Sequence, residues 1–381
     1  PSDRIQSASP ILYGAEGLVL ILSLTVLLKN FGTTLAYLRR IAPITVLLVL
    51  VFASALWSVD AHMTLVEGMH YVSGYVASLA VVQIYRAETV SDLLWEFSFA
   101  IIIASAFYVI AIPSLGIHQI NDADQFVHHG SWRGIFNHRT NLGYAAAALT
   151  VASVIRFFSG RPKLTATAGI GFGVVFLMMA QSGGAIIVTV FTILGLFVFG
   201  WLVHLQSRER IVVIVIYIIC ITPVLFLLTV GIDAFLAFFG KEPTLTGRTL
   251  IWETIIESSR TNSIFGLGYA AGFAVIFLPV LNAAGFALVN AQGVFFDAYV
   301  AFGMLGVLVL VSIHIWLATL LAKILLVPAS SLPANDRFAA VGLLLFANIL
   351  LVVSNVVESF FLEPNRPLIP LLMLALYPRI R

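Results

Sequence analysis

Apolar residues run in long, unbroken stretches along this chain, at about 11–28, 41–57, 68–85, 93–112, 141–158, 164–180, 183–205, 211–236, 294–327, 338–357 and 367–378. Most have the length that a bilayer-spanning helix needs, roughly 20 residues. None shows the ten-residue alternation of a barrel strand. The pattern predicts an all-α polytopic integral membrane protein with about 11 visible transmembrane helices. The first stretch is too long, and carries Glu16 too early, to be a signal peptide. Most links between stretches are short, but two are long: 113–140, rich in His, Asp, Arg and Trp, and 237–293, which mixes polar, aromatic and Gly-rich segments. Loops of that length are usually functional. The organisation expected is a single transmembrane domain over 1–381, with outer-loop segments 113–140 and 237–293 forming the active site. Within the second link, Leu250 to Glu257 reads as a short amphipathic helix. Ile251, Trp252, Ile255 and Ile256 make its apolar stripe; Glu253, Glu257 and Arg260 make its polar one. Such a helix is expected at the outer membrane face.

Composition sharpens this picture. Of 381 residues, 60% are hydrophobic and only 10% charged, against about 25% charged in a soluble domain. So few charges cannot cover a water-facing surface, which excludes a soluble enzyme. The 29 Phe and 28 Gly suit helices packed closely in lipid. The net charge of +2 gives no nucleic-acid signal. The one cysteine, Cys220, excludes an internal disulfide and any thiolate metal cage, and reads as a small core residue.

Where the charges sit says more than their sum. Thirteen Lys and Arg fall in links that alternate strictly with acidic, neutral or long ones: Lys29, Arg39, Arg40, Arg86, Arg156, Arg161, Lys163, Arg208, Arg210, Lys323, Arg337, Arg379 and Arg381. By the positive-inside rule these face the cytoplasm. Seven remain outside, and five of them (Arg133, Arg139, Lys241, Arg248 and Arg260) lie in the two long links. That concentration runs against the bias and asks for a reason. The alternation also makes the first visible stretch enter from the outside, and the chain opens with Pro, so one further N-terminal helix is expected. The parent would then hold about 12 helices with both ends cytoplasmic.

The chemistry is sought in those two links. In Trp132-Arg133-Gly134-Ile135-Phe136-Asn137-His138-Arg139-Thr140-Asn141-Leu142-Gly143, two Arg flank a Gly and a His just before a helix begins. Arg presents a planar fork of donors matched to phosphate oxygens, and a helix start adds N–H groups and a positive dipole end. These residues point to an oxyanion or phosphate site; the competing reading is Arg snorkelling to lipid head groups. In the second link, Thr246-Gly247-Arg248-Thr249-Leu250-Ile251-Trp252 places Arg248 at the start of the amphipathic helix. A Gly-rich turn with aromatics, Phe265 to Phe273, follows. It reads either as a loop over a sugar or lipid ligand or as a simple re-entrant turn, and not as a dinucleotide fingerprint.

At these residues the sequence resembles the O-antigen ligase and polysaccharide polymerase superfamily. Ala55-Leu56-Trp57-Ser58-Val59-Asp60 looks like its Leu-Trp-Ser motif, and Ala180-Gln181-Ser182-Gly183-Gly184 like the Ser-rich start of a middle helix. Trp132 to Gly143 is similar to a segment of exopolysaccharide polymerases of the succinoglycan type. Thr246 to Trp252, followed by Gly266-Leu267-Gly268-Tyr269, is similar to the pattern of the large outer loop. The likeness spans residues 55 to about 306. It implies a metal-independent glycosyltransferase with no cofactor. The donor would be an undecaprenyl-diphosphate-linked oligosaccharide, and the acceptor a hydroxyl of a glycan or lipid-linked acceptor at the periplasmic face of the bacterial inner membrane. Arg133, Arg139 and Arg248 would bind the diphosphate leaving group, with Gln292, Trp252 and Tyr269 on the acceptor side.

One departure bears on mechanism. Many ligases of this group carry His-Ala-His-Asn ahead of the helix that follows the large loop; here the residues are Asn290-Ala291-Gln292-Gly293. Gln cannot act as a base. Asp297, one turn deeper, is the first candidate, with His138, His128 and His129 as rivals. As a metal site these three His lack a second cluster of suitable spacing. The catalytic set expected is thus Asp297, Arg248 and His138. An exopolysaccharide or O-antigen polymerase is the leading reading, and a ligase to lipid A core the second. A lipid-linked glycan transporter is the alternative of another class. Transporters tend to show inverted repeats and broken helices, and neither is evident in the sequence.

Overall fold

A computed structural model describes residues 10–120, 128–202, 248–273, 276, 291, 293–326, 334–354 and 362. The apolar stretches at 211–236 and 367–378, together with Cys220, Lys241 and Gln292, lie outside the described residues. The protein is an all-α polytopic membrane protein. Its helices are α1 (Pro10–Lys29), α2 (Phe31–Arg40), α3 (Ala42–Ala53), α4 (Ala61–Ile84), α5 (Ala87–Ala111), α6 (Arg139–Phe158), α7 (Lys163–Ala180), α8 (Gly183–Leu202), α9 (Arg248–Ser258), α10 (Val294–Leu326) and α11 (Ala334–Ser354). Among the described residues seven helices are long and apolar enough to cross a membrane, or eight if α1 and α2, bent by 100°, make one span. The stretch at 41–57 differs from expectation: α3 has 12 residues, about 18 Å of helix, well short of a bilayer.

The chain packs as two compact units. The first takes in residues 1–84, 223–318 and 354–381. In it Glu16 of α1 accepts from Ser73 of α4 at 2.6 Å and pairs with His70 at 2.6 Å. Ionisable groups within membrane-spanning segments are usually paired with one another.

The second finding in this unit is a break that the sequence did not announce. α10 is interrupted at Gly303, with φ 63° and ψ −150°, a region essentially reserved for glycine. Backbone groups freed inside a membrane helix must find other partners. Here the segment 263–268 supplies them. Leu267 and Gly268 donate to the carbonyls of Val300 and Ala301 at 2.8 and 3.0 Å, while Met304 donates to Ser263 at 2.8 Å.

The second unit takes in residues 85–222 and 319–353. α6 runs through its centre, with 72% of its span buried. The small residues Gly143 and Ala145 to Ala148 let neighbouring backbones approach closely. Trp95 of α5 donates to Ser153 of α6 at 2.9 Å. At the far end Asp92 binds both Arg156 and Arg161, and Arg156 lies over the Trp95 ring at 4.5 Å. α11 is 83% buried along its span and carries the buried Arg337, whose guanidinium faces the Phe199 ring at 5.5 Å.

Candidate active site

The link between α5 and α6 folds back on itself in the second unit. A single turn, Pro113–Gly116, ends α5, and an antiparallel bridge joins Ile117 to Trp132. Around the bridge, His118 donates its N–H to Ser131, and Gly130 donates to His118, both at 3.0 Å. Arg133 and Gly134 both donate to the carbonyl of Gly116 at 2.9 Å. Gly134 has φ +61°, and a Cβ there would sit 2.4 Å from Ser105, so only glycine fits this crossing.

Three imidazoles meet inside this bracket. The ring centroids of His118, His128 and His138 lie 6.0, 5.6 and 5.3 Å apart. His138 is the N-cap of α6, and its Nδ1 accepts from the N–H of Thr140 at 3.3 Å. Nε2 of His118 accepts from the N–H of Arg139 at 3.1 Å. Two of the unpaired donors at the start of α6 are thereby satisfied. Each bond also selects a tautomer: the neutral ring keeps its proton on the other nitrogen, Nε2 in His138 and Nδ1 in His118. Burial, then the Arg139 charge and His118, push His128 down to about 4, so it is neutral at neutral pH.

The two Arg of this link are held by backbone carbonyls. Arg133 donates through Nε to Leu115 at 2.8 Å and through Nη2 to Ser114 at 3.1 Å. Arg139 donates through Nη1 to Gln181 at 2.5 Å. Gln181 and Ser182 belong to the turn between α7 and α8; Trp132 reaches the same turn by donating to Met179 at 3.0 Å. The Trp132–Gly143 and Ala180–Gly184 segments, both singled out in the sequence, are therefore one joint. His129 is exposed beside it.

The first unit joins the other singled-out segments in the same way. Trp57 donates its indole N–H to Phe265 at 2.7 Å, across 208 residues, and its ring lies 5.5 Å from that of Phe265. Val59 donates to Leu267 at 3.1 Å, Tyr269 donates to the hydroxyl of Ser54 at 3.1 Å, and Thr64 donates to Tyr269 at 2.9 Å. Tyr269 itself is buried, and its hydroxyl donates to Leu362 at 2.7 Å. These contacts are those of a turn packed within the first unit.

The amphipathic segment forms α9, with Arg248 as its first residue. Ile255 is buried, Trp252 half-buried, and Glu253 and Glu257 exposed, as the stripe predicts; Ile256 differs, being 49% exposed. Trp252 stacks on Phe296 at 4.7 Å and donates to Ala291 at 3.0 Å. Asp297, in the first turn of α10, accepts from the N–H of Ala291 at 2.8 Å. Trp252 and Asp297 thus grip one residue, Ala291, from its two backbone ends, directly before Gln292. Among the described residues no group of three or more His, Cys, Asp or Glu is placed to hold a metal ion. His118 is the member of the imidazole cluster that the sequence reading missed; its one signal was its place in the same long link.

Fold and joints together define a polytopic helical membrane protein whose polar side chains gather where helices begin and turn. No family model matches the chain. Over 269 residues, 67% of the chain, it is 24% identical to the exopolysaccharide production protein ExoQ of Rhizobium meliloti (strain 1021). The matched stretch is 59% of ExoQ, so the chain spans less than two thirds of that relative's length. This likeness supports the resemblance to the O-antigen ligase and polysaccharide polymerase superfamily.

Proposed function

We propose that the chain is a glycosyltransferase of exopolysaccharide production. It would move a glycan from undecaprenyl diphosphate to a hydroxyl acceptor at the periplasmic face of the inner membrane, without a metal or cofactor. The observation that carries this reading is the gathering of His118, His128, His138 and Arg139 around the first turn of α6. The assigned tautomer makes His138 an N–H donor. Donors and a guanidinium at a helix start suit the oxygens of a leaving diphosphate, whose charge grows as the glycosidic bond breaks. His138 then acts as a donor to the anion, and Arg133 and Arg139 neutralise it; Arg248 carries the same role on the resemblance alone. The acceptor proton goes to Asp297, which shares Ala291 with Trp252, and the acceptor oxygen forms the new bond to the anomeric carbon. The resemblance to a protein named for exopolysaccharide production favours chain polymerisation over ligation to lipid A core.

A lipid-linked glycan transporter gains one point from the broken α10. Yet the freed backbone groups at Gly303 bond to 263–268, so this break is filled by protein. The deciding experiment incubates the purified protein in lipid with undecaprenyl-diphosphate-linked oligosaccharide. Glycan lengthening with release of undecaprenyl diphosphate is expected. Arg248→Ala and Arg133→Ala should each lose a hundredfold or more, about the effect of removing one oxyanion donor, and Arg248→Lys should restore little. Translocation without any new glycosidic bond would replace the transferase reading by the transporter.

A further inference from the structure

Beside the imidazole cluster, α5 and α7 leave a groove of about 480 Å³ between them. Ala106 and Ile110 line one wall, Gly171, Phe172 and Val175 the other, and Trp132 closes one end. No charged side chain lines it. Its rim is open: Ile110 is 79% exposed and Val175 51%, on helices apolar enough to span a membrane. Helix packing accounts for the neighbouring glycines and not for Gly171. A Cβ at Gly169 would fall 2.2 Å from Ser153, and one at Gly173 2.3 Å from Thr150, whereas one at Gly171 meets nothing within 4 Å. The bare position at 171 keeps the groove open.

The two ends of this groove differ in chemistry. The Trp132 ring packs edge-on against Phe176 with centroids 5.1 Å apart, and the Trp132 backbone N–H is fixed to the Met179 carbonyl. The next residues of the chain are Arg133 and, past the bracket, His138 and Arg139. An apolar channel open to lipid thus runs up to a cap of cations and N–H donors. That sequence of surfaces complements an amphiphile with a long hydrocarbon chain and an anionic head. We infer that the α5–α7 groove holds the head-proximal isoprene units of a polyprenyl diphosphate. This rests on the proposed function for the identity of the head group and adds the place of the tail.

The test uses undecaprenyl diphosphate bearing a photoreactive group in its first isoprene units, added to the full chain in lipid. Crosslinks are expected in 106–110 and 168–176, displaced by unlabelled undecaprenyl diphosphate and not by an equal amount of phosphatidylglycerol. Gly171→Trp fills open space and should weaken labelling about tenfold or more, because several buried methylenes lose their site. Gly200→Trp on α8, where a Cβ also meets nothing within 4 Å, should label as the wild type does. Equal labelling in Gly171→Trp, crosslinks elsewhere, or equal displacement by phosphatidylglycerol would each overturn the assignment. The readout is binding, so a chain that labels in the groove but makes no glycan sinks the transferase reading and leaves the groove standing.

Discussion

The backbone N–H of Arg139 donates to Nε2 of His118, 21 residues earlier in the chain, at 3.1 Å. His118 is fully buried, so this one bond ties the start of α6 to the end of α5 and fixes the ring's tautomer. His118→Ala should therefore strand a buried donor and cost about 1–3 kcal/mol, read as a lowered Tm of the purified protein. His118→Gln places an acceptor near the same point and should recover part of the loss. If alanine is as stable as the wild type, the bond does not anchor the helix.

Asp297 allows a clean separation of structure from chemistry. Its Oδ1 accepts from Ala291, and Asn keeps an acceptor there. Asp297→Asn should stay folded and bind donor, yet lose about 10²–10⁴-fold in turnover if the carboxylate is the base. Gln292→His should be tolerated. Normal polymerisation by Asp297→Asn together with a dead His138→Ala would move the base to the first long link. Activity in both would leave the arginines as the whole machinery.

Gly303 makes the break in α10 possible. Any side chain there meets a backbone penalty of about 1–3 kcal/mol, and its Cβ would lie 2.4 Å from the carbonyl carbon of Ile264. Gly303→Ala should unfold or fail to insert, scored by gel filtration in detergent, while Gly200→Ala should not. A well-behaved Gly303→Ala would mean that the helix can close over the break.

The pH dependence of stability should carry the mark of His128. Folding holds its pKa at about 4 against an ordinary 6.5, so between these values the unfolded chain binds the extra proton. Stability is complete above pH 6.5 and falls as the pH drops toward 4. Burial, the Arg139 charge and His118 oppose the ring's charge, and His138 packs against it at 5.3 Å between centroids. Melting temperatures across this range should fall less steeply for His128→Gln than for the wild type; parallel curves would remove His128 as the cause.

Charge alternation along the chain predicts both long links on the outer side. In a Cys220→Ala background, His129→Cys and Thr261→Cys, both exposed positions, should label with an impermeant thiol reagent in intact spheroplasts. Ser131 is unsuitable because it is fully buried. Labelling of one position alone would break the shared-face topology.

The sequence by itself determined the class of this protein. Runs such as 93–112 and 141–158 are long and largely apolar, and a chain so poor in charge can be solvated only by lipid. It also marked the places where polar residues return, Trp132 to Gly143 and Arg248 to Trp252, since Arg stands out in a chain with only 10% charged residues. The burial of Trp252 and Ile255 on α9 was legible because local periodicity decides which helix face is buried, while the exposure of Ile256 was not. Only the tertiary structure decided which segments meet. The bond from Trp57 to Phe265 spans 208 residues, and no local pattern encodes such a distance. His118 was illegible for the same reason: its partners are set by how the link folds back, not by its neighbours. The break at Gly303 lies inside an apolar run, and glycine is common in membrane helices. What separates this glycine from the others is the backbone of 263–268 waiting to bond with the gap, a relationship that exists only once the chain has folded.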